Sequence, residues 1–98
     1  MRTIMLSQIP INLEKVALKT RDNEILRAGI IAELDAINLY EQMAALAQDP
    51  LIKKVLLDIA KEEKTHVGEF QALLLSKDAE QVKELEEGKK EVEELKGK

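Results

Sequence analysis

The 98-residue chain contains no cysteine, which removes disulfides, iron–sulfur clusters, thiolate zinc sites and thiol nucleophiles together. Any metal site must therefore be built from oxygen and imidazole. Tryptophan is also missing, and the aromatics are one tyrosine, Tyr40, and one phenylalanine, Phe70. That is too little for a sheet protein, whereas the dominance of Glu, Lys, Leu, Ile and Ala suits long packed helices. No apolar run approaches the roughly 20 residues of a membrane span. The stretch from Met1 to Leu13, broken by Gln8, Pro10 and Asn12, lacks the apolar segment of a signal peptide. A soluble, cytoplasmic chain without a membrane partner is expected. An excess of positive charge is absent as well: 15 basic and 19 acidic residues, net charge −4, are interleaved and leave no basic stripe for nucleic acid.

What is present is an all-α pattern in a single domain, residues 1–98. Residues 1–21 read as an irregular lead with a helical turn over Leu13 to Leu18, because Pro10 and Asn12 interrupt any earlier pattern. A helical hairpin is expected over 22–75. Its first helix starts near Thr20 to Asp22, where capping side chains precede the apolar pattern, and runs to Ala47. Gln48-Asp49-Pro50 makes the turn, with Asp49 as cap and Pro50 in the first helical position, where a missing N–H does no harm. A third, highly charged helix over 78–96 begins at Asp78, with Gln81 placed to complete a capping box. Its narrow stripe of Val82, Leu85, Val92 and Leu95 predicts weak packing or a projecting arm. A chain this small buries little apolar surface alone, so a homo-oligomer is expected.

Three ionisable residues break the apolar pattern. One seam reads Leu26, Ile30, Glu33, Ile37, Tyr40, Ala44, and the other Ile52, Leu56, Ile59, Glu63, His66, Phe70, Leu73, in alternating steps of four and three. These are core positions of paired helices. A carboxylate taken out of water without a partner costs several kcal/mol, so buried acids are paired, protonated or metal-bound. Neither seam contains Lys or Arg. Counted from Asp49, Glu33 lies sixteen residues before the turn, and Glu63 and His66 fourteen and seventeen after it. In an antiparallel hairpin all three then meet in one layer. Glu63 and His66, at i,i+3, share a helix face.

One hairpin supplies one Glu opposite one Glu-x-x-His, which is half of the dinuclear carboxylate site found in four-helix bundles. A two-fold dimer would complete it, with two metals per dimer. Four carboxylates and two imidazoles suit iron or manganese, and zinc or calcium can substitute. Tyr40 lies about 10 Å further along the helix than Glu33, as a neighbour of the centre or a plain core residue. Glu41, Glu62 and Asp35 read as solvated carboxylates. Two other readings stay open: a buried Glu–His set that only fixes helix register in a non-catalytic dimerisation module, and a related dinuclear oxidoreductase such as a rubrerythrin-like peroxidase.

Together, Ala32-Glu33-Leu34-Asp35-Ala36-Ile37-Asn38-Leu39-Tyr40, the thirty-residue spacing from Glu33 to Glu63, and Glu62-Glu63-Lys64-Thr65-His66 resemble the encapsulated ferritins. The resemblance implies a hairpin whose dimer forms a ferritin-like four-helix bundle and whose dimers assemble into a decameric ring. It implies that Glu33, Glu63 and His66 bind iron in a ferroxidase centre at the dimer interface, with Tyr40 beside it. The reaction implied is oxidation of Fe(II) by oxygen, with Fe(III) delivered into an encapsulin nanocompartment. Some members carry acidic residues at both positions matching 32 and 35 as a second site for incoming metal. Here the first is Ala32, leaving Asp35. The chain ends at Lys96-Gly97-Lys98 without an apolar docking tail, so attachment to the encapsulin shell is expected through a tail outside this sequence or through fusion.

Overall fold

The fold was obtained as a computed structural model, which describes residues 17–97. These form three helices, α1 (Leu18–Leu46), α2 (Pro50–Lys77) and α3 (Ala79–Lys96), in the all-α arrangement that the composition implies. Helix α1 starts earlier than expected, so residues 18–21 belong to the hairpin and not to the lead. Thr20 does not cap it: its hydroxyl and its N–H both donate to the Ala17 carbonyl, at 3.2 and 3.1 Å, as residues inside a first turn do. The expected lead over residues 1–16 lies outside the described residues.

The turn is built as the sequence suggests. Asp49 Oδ1 accepts from the N–H groups of Leu51 (2.7 Å) and Ile52 (3.3 Å), and Pro50 opens α2, so two otherwise unpaired amides are satisfied. At the other end α2 runs to Lys77, two residues further than expected. Asp78 then serves both helices. Its Oδ1 accepts from the Gln81 N–H at 3.0 Å, while its own N–H donates to the Leu74 carbonyl at 3.0 Å. That second bond leaves no amide for Gln81 to accept, which is why only one side of the expected capping box forms.

Helices α1 and α2 pack antiparallel along their length, with Leu26, Ile37 and Ala44 of α1 and Ala60 and Leu74 of α2 as the buried apolar residues. Two seam positions differ from expectation: Ile52 is 54% exposed and Leu73 53%. Leu74, about 100° round the helix from Leu73, takes the inward place. Helix α3 buries no residue and leaves the hairpin as an arm, its stripe of Val82, Leu85, Val92 and Leu95 exposed. The molecule is accordingly flat and wide, 46 × 45 × 21 Å. A partly exposed ion pair at 3.7 Å between Arg27 and Asp78 ties α1 to the α2–α3 corner. Among the described residues no helix is long and apolar enough to cross a membrane.

Candidate metal centre

The two halves of the cluster come from different helices. Glu33 sits in the middle of α1, and Glu63 and His66 sit three residues apart on α2. The Asp49–Pro50 turn sets their common height. A ligand atom from each of the three lies within 4.8 Å of the other two. His66 presents Nδ1 to both carboxylates, 3.5 Å from Glu33 Oε2 and 3.4 Å from Glu63 Oε2.

Burial differs across the cluster in a useful way. The glutamate side chains are 19% and 18% exposed, whereas the imidazole is 46% exposed. The carboxylates are thus shielded inside the hairpin and the histidine stands at its open flank. Glu33 Oε2 is buried and has no hydrogen-bond partner among the described residues. A buried carboxylate oxygen left in that state costs roughly 1–3 kcal/mol, and among the described residues no Lys or Arg forms an ion pair with it.

These residues fit a metal ion. Distances of 3.4 and 3.5 Å exceed the usual range of N–H···O bonds. They are near the roughly 3.0–3.4 Å that separates two ligand atoms each about 2.1 Å from one ion at octahedral or tetrahedral angles. Two carboxylates and one imidazole nitrogen are hard and borderline donors that suit iron, manganese or zinc. One hairpin could supply three protein ligands, which would leave coordination positions for a second copy or for substrate.

The other residues singled out from the sequence fall differently. Tyr40 is half-buried on α1, about 10 Å beyond Glu33, and is not a member of the cluster. Glu41 pairs with Lys64 at 3.2 Å on an exposed edge, and Glu62 is exposed. Asp35 corrects an expectation: at 7% exposure it is buried, not a solvated carboxylate. It lies about 200° round α1 from Glu33, on the far side of the helix from the cluster.

One further residue was not anticipated. A Cβ built on Gly29 would meet the tip of the Phe70 ring, with Cε1, Cε2 and Cζ each at 3.2 Å. Gly29 is one turn before Glu33 and Phe70 one turn after His66, so this contact forms the layer next to the cluster. An isolated glycine within an apolar helical pattern was the available signal.

Comparison with known proteins gives a consistent picture. The sequence model of the rubrerythrin family matches residues 24–97. The ferritin-like–encapsulin shell fusion protein of Pyrococcus furiosus is 61% identical over 87 residues, covering 89% of this chain and 25% of that protein. The chain thus spans about a quarter of the length of that curated relative. The crystal structure of the encapsulated ferritin domain from Pyrococcus furiosus matches with a TM-score of 0.80 and 59% identity, over 95% of this chain and 97% of that one.

Proposed function

The chain belongs to the rubrerythrin family and to the encapsulated ferritins, and from that premise we propose that it is a ferroxidase that oxidises Fe(II) to Fe(III) for storage inside an encapsulin compartment. The observation that carries the reading is the buried Glu33 Oε2, which has no hydrogen-bond partner among the described residues yet faces Glu63 and His66. Among the described residues, a cation is the partner this arrangement lacks.

In this reading Fe(II) is the substrate, each ion giving up one electron and oxygen accepting the pair. Glu33 and Glu63 supply negative charge that favours the ferric state, and the shielded carboxylates hold it where water screens it less. His66, at the open flank, supplies the neutral ligand and is the most exposed of the three side chains. Two hairpins meeting along that flank bring together two Glu33, two Glu63 and two His66, which makes a dinuclear centre of two irons per dimer. Tyr40 is proposed as a neighbour of that centre. The fused shell of the Pyrococcus furiosus relative supports an encapsulin shell as partner and the compartment interior as location.

The test is the initial rate of aerobic Fe(II) oxidation by the wild type beside Glu63→Ala, with metal content determined on the same samples. Rapid oxidation and about one iron per chain, both lost in the variant, are expected. Equal background rates with no bound iron would leave a register-fixing helical module as the reading. The same assay with hydrogen peroxide replacing oxygen separates a ferroxidase from a peroxidase of the rubrerythrin type.

A further inference from the structure

Gly29 is an unusual residue to keep in the middle of a 29-residue helix. Its φ is not positive, so no backbone requirement explains it. In a helix interior glycine is about 1 kcal/mol worse than alanine. What distinguishes the position is the space above it: the Phe70 ring points end-on at Gly29 from α2, and an added Cβ would stand 3.2 Å from three ring carbons at once. That is inside ordinary van der Waals contact. Here glycine permits a close approach of the two helices, which is its other use.

The place of this contact matters more than its tightness. Gly29 precedes Glu33 by four residues and Phe70 follows His66 by four, so both lie on the cluster's helix faces. Because the helices are antiparallel, both are displaced in the same direction, about 6 Å further from the turn. The separation of α1 and α2 at Gly29–Phe70 is therefore transmitted, within one turn, to the separation of Glu33 from Glu63 and His66. Packed interiors pass such displacements on because there is no free volume to absorb them. A ligand set that converges within 4.8 Å has little tolerance for a few tenths of an ångström at its neighbour.

We propose that Phe70, seated in the notch left by Gly29, is a positioning residue for the metal centre: it fixes the helix spacing at which Glu33, Glu63 and His66 can share an ion. The proposal rests on the metal-centre reading above. It assigns the notch and ring a role in ligand geometry that is separate from fold stability. Gly29→Ala gains helix propensity while lifting the ring, so the two roles move in opposite directions.

The experiment uses Co(II) as the probe, comparing wild type, Gly29→Ala and the Gly29→Ala/Phe70→Leu double variant. Co(II) binding isotherms, thermal unfolding and the imidazole resonances of the metal-free proteins are recorded; His66 is the only histidine, so those resonances are assigned by inspection. Gly29→Ala is expected to keep or raise the metal-free Tm, to shift the His66 resonances and to bind Co(II) roughly tenfold more weakly, the loss typical of residues that orient ligands. Removing the ring tip in the double variant should restore most of the affinity. Wild-type affinity and unshifted His66 resonances in Gly29→Ala overturn the proposal, as does a loss that only tracks a lower Tm or that the double variant leaves unrelieved. If the wild type itself takes up no Co(II), the metal-centre reading fails, and the His66 resonances still decide whether the notch positions the cluster.

Discussion

Glu33 Oε2 and His66 Nδ1 face each other across the hairpin at 3.5 Å, on helices whose common height is set by the Asp49–Pro50 turn. Neither atom is well satisfied by the other at that distance, and Glu63 adds a second carboxylate on the same side. The hairpin is thus folded around an electrostatic deficit. An ion held there would couple metal binding to helix packing.

Glu33→Gln keeps the shape of the side chain and removes its charge. Because the buried oxygen has no hydrogen-bond partner among the described residues, the metal-free protein should unfold at the same temperature as wild type or a few degrees higher. The rise in Tm produced by added Fe(II), under anaerobic conditions, should vanish. Differential scanning calorimetry with and without metal reads both effects. A large drop in metal-free Tm would mean that Glu33 has a stabilising partner and is not waiting for an ion.

Chelation should destabilise the loaded protein. A ligand present at 100 times its Kd stabilises by about 2.7 kcal/mol. In a chain of this size each kcal/mol moves Tm by roughly 4–8 °C. Loss of metal is therefore expected to lower Tm by on the order of 10 °C. Unchanged Tm after verified removal of metal would show that the cluster does not couple to folding.

Much of this was legible in the sequence, for one reason: a charge in an apolar stripe contradicts the pattern around it. Glu33, Glu63 and His66 stood out on that ground, and counting from Asp49 placed them together. What stayed hidden depended on the third dimension. Gly29 has meaning only opposite Phe70, which is forty-one positions away in the chain. The choice of Leu73 over Leu74 failed because a seam written at 3.5 residues per turn drifts by about 20° per heptad on a straight helix. Thr20 and Asp22 looked like caps, but a local capping preference of about 1 kcal/mol does not stop a helix that can extend. No pattern in the sequence marked Asp35 for burial.

Asp78→Ala should act on the arm and spare the site. The side chain caps α3 through Gln81 at 3.0 Å, and a lost cap of this kind costs about 1 kcal/mol. The partly exposed ion pair with Arg27, at 3.7 Å, adds no more than about 1 kcal/mol. Hydrogen exchange should quicken across Ala79–Lys96 while α1 and α2 keep their protection and Co(II) affinity stays at the wild-type value. Weakened metal binding would show that α3 helps hold the hairpin, contrary to its lack of buried residues.

His66 stands on a flank of α2 that carries exposed apolar residues. Val55, Glu62, His66 and Leu73 recur at steps of seven, four and seven along α2, which places them within about 40° of one another. Val55 and Leu73 are large apolar residues left 49% and 53% exposed. In an isolated hairpin Leu73→Lys should change stability little, as exposed substitutions do, by within about 0.5 kcal/mol. If this flank instead meets a second copy, the same change buries an unpaired charge in the interface and separates the copies. Light scattering should then show a mass falling toward that of one chain, with bound iron falling in parallel if each hairpin carries half of a centre. The separation and the loss of iron are one event in this account, so a variant that stays associated with full iron, or one that dissociates yet keeps its iron, would show that the centre is not shared across this flank.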